Sequence, residues 1–527
     1  MDIGSPIRSK NGRLQVAVVA QIPEALLRLL FGEQDSEAPG STDAAHAERY
    51  RLLLQNALSA VSMDGRHLAL AYAERFMLLE QPDDASASYR LVSVGSEAAS
   101  PGESVTALYC LDIYTPSLRA GPQQRSGKVD GQSLCVAVGY SSGYVRMFSV
   151  YGHLLTAHQL HTQPLLRIRH RLPAQVAAGV LGTATTQAGL QSAPGDTEEV
   201  CLTFADGAVV SIDGQSLYLA LRVCLSEVAT GDSGEPAFQY KTWSFDMRTP
   251  QVYDVASYGP ATSRDPLVLA AKASMTSSPQ LSDATARFLV APVAGEAAFG
   301  VFATNEEVAV SYSAVDLAGR VAAKVTGAML SMARSYFWRS SPLSGGGADS
   351  SGSRTDAARQ GSPSRTEQGT VVPCVFAVRD SPRKVVDIAL APAQYGLAAL
   401  TDSLGRVTIF DLASSEAVHM LKGLRGSRCA WLEAEKGVPA QQRMRVVVCA
   451  AKRGVVEVFG LDAMDSPLAS LNIGPGWALV QCPTQPLGGS LLVGSGGSER
   501  RATHPRPASC ILLSDRGQVA RIAVDAS

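Results

Sequence analysis

The sequence predicts an all-β fold, a divergent WD-type β-propeller of about seven blades with inserted helices and a disordered loop. Three observations predict it. An apolar strand, a tight turn carrying Gly or a charged residue, and a second apolar strand recur as a unit along the chain. Residues 384–423 read as four consecutive short strands, which is the content of one blade. Polar stretches without core-forming residues separate the copies.

The clearest hairpins are residues 136–150 (VAVGYSSGYVRMFSV), 202–212 (LTFADGAVVSI), 398–412 (AALTDSLGRVTIFDL), 446–461 (VVVCAAKRGVVEVFGL) and 511–524 (ILLSDRGQVARIAV). Fainter copies lie at 68–79 and 288–302, which makes seven, with turns near residues 74, 143, 207, 295, 405, 454 and 517. Apolar and small or polar residues alternate within them, the period-two signature of strands. No Trp-Asp dipeptide closes a blade, so the repeat is divergent.

The chain divides accordingly. Residues 1–57 are expected as an N-terminal helical and acidic extension, with helices at 23–31 and 44–58. Residues 58–315 form the first part of the propeller, 316–338 an inserted amphipathic helix, 339–370 a disordered loop and 371–527 the second part. Within the first part, residues 215–228 (QSLYLALRVCLSEV) read as a helix after the Asp213-Gly214 break.

Composition narrows the function. Of 527 residues, 46 are Lys or Arg and 48 Asp or Glu, a formal net charge of −2. That lacks the basic field of a nucleic-acid binder, so none is expected. The nine cysteines include no Cys-x-x-Cys, which fits a reducing cytoplasm. No apolar run approaches the length of a membrane span.

Residues 316–338 (DLAGRVAAKVTGAMLSMARSYFW) carry surface chemistry. At helical spacing Leu317, Val321, Val325, Met329, Met332 and Tyr336 fall on one stripe, and Trp338 ends the segment. Three uses fit: packing between two blades, seating in a partner's groove, or lying in a membrane interface.

Catalytic motifs fail. Gly139 to Gly143 matches G-x-S-x-G, but that motif requires a strand–turn–helix context, and here residues 144–150 continue as strand. His158 and His161 have no Cys or carboxylate companion at ligand spacing and are expected as solvated strand ends. Arg379, Arg383 and Lys384 surround Asp380 in a turn expected to be solvated or to receive an acidic partner. No cofactor or metal is expected.

Several strings resemble the N-terminal domain of the regulatory, non-catalytic subunit of the Rab-three GTPase-activating complex. The most specific contains Gly139, Ser142, Gly143, Tyr144 and Arg146. Others contain Asp213 and Gly214, then Trp243, then Gly405, Lys422, Gly423 and Trp431, and finally Asn472-Ile473-Gly474. The named residues are expected to be structural. The resemblance implies a non-enzymatic scaffold partnered by a separate catalytic subunit and a Rab GTPase, with the arginine finger on that other chain. It implies GTPase activation or nucleotide exchange in membrane traffic, autophagy and lipid-droplet biology. It also implies a cytoplasmic protein with peripheral membrane contact at the endoplasmic reticulum or lipid droplets. The family subunit continues well beyond this domain, so a truncated member or an isolated domain is implied. The alternative is a generic propeller adaptor of a coat or tethering complex.

Overall fold

The computed structural model describes residues 7–9, 14–32, 51–82, 87–95, 102–114, 132–173, 196–230, 238–247, 251–260, 284–305, 369–434, 443–489 and 506–524. Strands β1 (Ile7–Arg8) and β2 (Leu14–Gln21) precede helix α1 (Glu24–Phe31). Blade 1 is β3 (Leu58–Val61), β4 (His67–Tyr72), β5 (Arg75–Glu80) and β6 (Arg90–Gly95). Blade 2 is β7 (Val105–Tyr114), β8 (Gln132–Tyr140), β9 (Tyr144–Ser149) and β10 (Leu154–Gln159). Blade 3 is β11 (Leu165–Arg171), β12 (Glu199–Phe204), β13 (Val209–Asp213) and, after helix α2 (Gly214–Thr230), β14 (Tyr240–Phe245). Blade 4 is β15 (Val252–Ser257), β16 (Ala286–Pro292) and β17 (Ala297–Thr304). Next come β18 (Thr370–Val372), which pairs parallel to β14 at the edge of blade 3, and β19 (Cys374–Arg379), which completes blade 4. Blade 5 is β20 (Val385–Leu390), β21 (Leu397–Asp402), β22 (Val407–Asp411) and β23 (Glu416–Leu421). Blade 6 is β24 (Ser427–Glu433), β25 (Met444–Ala450), β26 (Val455–Gly460) and β27 (Ala469–Asn472). Blade 7 begins with β28 (Trp477–Gln481), β29 (Cys510–Ser514) and β30 (Gln518–Val524).

The all-β, seven-bladed expectation holds, and every hairpin read from the sequence is the second and third strand of one blade. The turn residues explain why. Asp402 Oδ1 accepts the N–H groups of Leu404 and Arg406, and Gly405 takes φ +82°. A side chain at Gly405 would also collide, since its Cβ would stand 2.5 Å from Arg425 Cγ.

One assignment is corrected. Residues 14–21 are not part of an extension. They form the fourth strand of blade 7, antiparallel to β30 from Leu14↔Val524 to Gln21↔Gln518. Leu14, Val16, Val18 and Ala20 alternate inward and are buried, which is the period-two pattern a half-buried strand requires. The ring is therefore closed by pairing the two ends of the chain. Helix α1 agrees with the expected 23–31 helix, and residues 51–56 are helical.

First strands line the axis. They meet in a closed cycle, β3 to β7, β11, β15, β20, β24, β28 and back to β3. Within each blade the chain alternates direction, so the hairpins between second and third strands share one face with the blade-to-blade connections. Backbone bonds sew that hairpin face. Leu424, Ile473 and Ile22, each just past a fourth strand, donate to the turn carbonyls of Gly405, Gly454 and Gly517 at 2.7–2.8 Å. Ser141, Ser403 and Asp515 likewise donate to Ser104, Lys384 and Gly476, each just ahead of a first strand.

The connection from β2 to β3, residues 22–57, leaves from the hairpin face, and the other long insertions leave from the opposite face. Residues 115–131, 174–195, 261–283, 435–442 and 490–505 join first to second strands, whereas α2 and residues 306–368 lie between third and fourth strands. The expected 316–338 helix and the expected loop from 339 to 368 thus fall outside the described residues, whereas Thr370, placed at the end of that loop, opens β18. Their flanking strands β17 and β19 belong to blade 4, so the insertion interrupts one blade instead of separating two. Residues 482–489 cross this face from blade 7 to blades 2 and 3, where Leu487 exchanges backbone bonds with Asp112 and Tyr114. Gly488 N–H reaches Glu198 at 3.1 Å, and Glu198 in turn holds His170 at 2.7 Å.

Two outcomes follow from this packing. Leu14→Ala is expected to cost about 2–5 kcal/mol in urea unfolding, as for other fully buried Leu truncations. Its neighbour Gln15→Ala, which faces outward, should cost under about 0.5 kcal/mol. Asp112, buried and bonded by Met63 N–H, is pushed up from 3.8 to about 6, chiefly by burial. A carboxyl raised in the folded state makes stability fall as pH climbs from about 4 to about 6. Asp112→Asn should remove that part of the slope in urea melts taken across this range.

Candidate functional site

β11 reads LLRIRHR, which places Arg167, Arg169 and Arg171 at alternating positions on one face of a first strand. Arg167 and Arg169 reach the axial cavity, about 900 Å³, whose wall is built from the first strands of the blades. Arg169 grips Asp254 of blade 4 with two bonds, 2.8 and 2.7 Å, and donates to Val255 O and to Ile388 O of blade 5. Asp254 is fully buried and also accepts Ile388 N–H at 3.0 Å. One guanidinium and one carboxylate therefore join three blades. Burial pulls the Arg169 guanidinium down, but Asp254 more than offsets it and holds it above its ordinary value. Arg167 adds an ion pair to Asp387 at 3.2 Å. Burial, and then the neighbouring Asp254 charge, raise the Asp387 carboxyl.

On the hairpin face the motif residues of blade 2 form one cluster. Glu103, just ahead of β7, bonds Arg146 at 2.7 Å and accepts from Ser142 Oγ. The Arg146 guanidinium stands 4.2 Å from the Tyr140 ring centroid and 5.0 Å from that of Tyr144. Gly139 and Gly143 leave no room for a side chain. Their Cβ atoms would stand 2.3 Å from Leu165 Cδ2 and 2.0 Å from His161 O. The G-x-S-x-G string is thus a hairpin, with Ser141 Oγ accepting Ser104 N–H.

The same device recurs in other blades. His161, ahead of β11, bonds Asp206 in the β12–β13 turn at 2.6 Å. Arg383, ahead of β20, pairs with Asp402 at the end of β21 at 2.6 Å and donates to Thr408. Two expectations are corrected by these contacts. His158 and His161 are not solvated ends, since His158 packs on Phe238 at 4.7 Å between ring centroids. Arg383 is buried and Lys384 Nζ is occupied by the carbonyls of Gly295 and Ala297, so of the three cations only Arg379 stands open to solvent.

The remaining motif residues also support the frame. Asp213 caps α2 through Ser216 N–H at 2.7 Å, and a Cβ on Gly214 would meet Glu198. Trp243, buried between blades 3 and 4, donates to Ser211. Trp431 crosses from blade 6 to Ala389 O of blade 5 at 2.9 Å, and Gln481 of blade 7 accepts its N–H. Gly405 and Gly423 both take positive φ in connections of the hairpin face, and Lys422 beside them is exposed. Leu317, Val321, Val325, Met329, Met332, Tyr336 and Trp338 lie outside the described residues. The first-strand arginines were missed, although their i, i+2 spacing in β11 was a visible signal. Among the described residues no group of three His, Cys, Asp or Glu side chains could hold a metal, and no helix is long and apolar enough to cross a membrane.

Closed four-stranded blades around an axial cavity, pinned by turn-to-strand ion pairs, define a seven-bladed β-propeller. The chain belongs to the family described as the Rab3 GTPase-activating protein regulatory subunit N-terminus, whose model matches residues 53–480. That match runs from the helix ahead of β3 into β28. Similar solved structures include Sqt1 of Chaetomium thermophilum (11% identity, TM-score 0.40, 88% of this chain and 81% of that one). The Saccharomyces cerevisiae Sqt1 is 10% identical with a TM-score of 0.37, covering 89% of this chain and 84% of that one. The C-terminal WD40 domain of Sif2 is 8% identical with a TM-score of 0.37, covering 89% and 95%.

The Arg169–Asp254 pair sets a test. Asp254→Ala strands a buried guanidinium and should cost about 3–5 kcal/mol in urea unfolding. Arg169→Met combined with Asp254→Leu should recover most of that loss.

Proposed function

We propose that the protein is a non-catalytic scaffold in a Rab GTPase regulatory complex, acting by protein–protein binding in GTPase activation or nucleotide exchange. The family match over residues 53–480 carries this reading, because that family is a regulatory subunit. Its partners on this reading are the catalytic subunit, which supplies the reacting groups, and a Rab GTPase. The setting is membrane traffic, with a cytoplasmic protein held peripherally at the endoplasmic reticulum or lipid droplets and serving autophagy there. A rigid ring suits such a role, since a preorganised surface loses little entropy when a partner docks. Affinity then comes from a few buried anchors. The insertion face supports the reading further. It is the end from which most of the long connections depart, and α2 there exposes Leu219 and Val223 one turn apart.

Pull-down on the full chain with Rab proteins locked in the GTP or GDP state, followed by mass spectrometry, tests the proposal. A catalytic-subunit homologue recovered together with a nucleotide-dependent Rab is the expected result. Coat or tethering proteins recovered without either would overturn it. The 316–338 segment is expected to float with highly curved vesicles as a peptide, and its failure to do so removes the membrane contact.

A further inference from the structure

The hairpin face has an uneven charge distribution. In blades 1 to 4 its exposed or half-buried cations and anions are mixed, with Glu74, Asp206 and Glu296 among the acids. Among the described residues, the hairpin-face connections between β23 and β30 expose only positive charges. Lys422 and Arg425 lie in the connection from β23 to β24, and Arg428 is the second residue of β24. Lys452 and Arg453 form the β25–β26 turn, and Arg516 lies in the β29–β30 turn. All six are exposed, and none forms an ion pair among the described residues. The one acid in these connections, Asp515, is buried and held by Arg51 at 3.3 Å. In a chain of net charge −2 this concentration is a property of the fold.

Packing brings the six together. Arg453 donates to Gly423 O at 3.0 Å, which lays the β25–β26 turn over the preceding connection. The Lys452 stem runs past Gly426, 3.5 Å from where a Cβ would stand, and Arg425 covers Gly405 in the same way. The backbone bond from Ile473 to Gly454 O ties the next connection to the same turn. Arg428 and Lys452 also line the axial cavity, beside Arg167. The patch is thus a slope of cations that descends into the mouth of the channel.

We infer that this sector is a docking surface for an acidic, extended segment of a partner protein, which lies over the blade 5–6 and blade 6–7 connections and inserts a carboxylate side chain at the channel mouth. Charge complementarity names the partner's sign. The recessed mouth selects the kind of partner, because a chain can reach Arg428 inside it and a flat bilayer surface cannot. Low-dielectric walls focus the field of the cations on such a segment. The inference does not depend on the Rab reading: the site would bind acidic sequence whichever complex supplies it.

Fluorescence anisotropy of a fluorescein-labelled hexaglutamate peptide with the full chain tests it, beside flotation with phosphatidylcholine–phosphatidylserine vesicles. The wild type should bind the peptide, and Arg428→Glu with Lys452→Glu should weaken it about tenfold or more, with a shallower salt dependence. Arg90→Glu, on the outer strand of blade 1, should leave binding unchanged. Arg428→Gln with Lys452→Gln should weaken it in the same direction, and keeps the test decisive if charge reversal disturbs folding. Absence of peptide binding by the wild type would overturn the inference. So would equal binding by the double variants, an equal loss in Arg90→Glu, or vesicle binding without peptide binding.

Discussion

The antiparallel pairing of β2 with β30 is the contact on which the rest of the ring depends. It joins residues about five hundred positions apart, from Leu14↔Val524 to Gln21↔Gln518. Without it β30 would be an open edge with unpaired N–H and C=O groups, and blade 7 would lack its fourth strand. The first strands pack on their neighbours around the axis, and Arg169 also reaches β20 two blades on, so a defect in one blade loosens the blades on both sides. Closure therefore turns seven small sheets, none of which buries its hydrophobic faces alone, into one cooperative unit.

Polar chemistry in this protein mainly holds blades in register. Glu103 with Arg146, His161 with Asp206, and Arg383 with Asp402 repeat one arrangement: a side chain ahead of a first strand bonds the hairpin of its own blade. Arg169 with Asp254 does the corresponding work between blades at the axis. Buried pairs of this kind contribute specificity of arrangement more than net stability, since desolvation offsets much of the attraction. Among the described residues, the hairpin-face connections from Lys422 to Arg516 expose cations only, and that contrast gives this face its polarity.

Local information explains which parts were legible in the sequence. The seven hairpins could be read because strand alternation and turn glycines lie within about fifteen residues of each other. Blade 5 matched to within a residue at each strand, as Asp402, Gly405 and the flanking Val407 and Ile409 state their roles locally. Helix α2 followed from Asp213-Gly214 in the same way. β2 was hidden because its partner lies at the other end of the chain. Its inward alternation of Leu14, Val16, Val18 and Ala20 was present, but no adjacent turn marked it as half of a hairpin. His161 and Arg383 were read as solvated for a related reason. Each is bonded by a turn about twenty to forty-five residues away, which only the folded blade brings near. The cation sector escaped notice because its members come from three separate connections and one strand.

Native-state hydrogen exchange on the chain lacking residues 1–21 tests the closure most directly. If β2 completes the ring, the deletion removes protection from β30 and from the first strands β28 and β3, which meet across the junction, and lowers the unfolding midpoint of the whole ring. Unchanged protection in blades 7 and 1 would contradict the account.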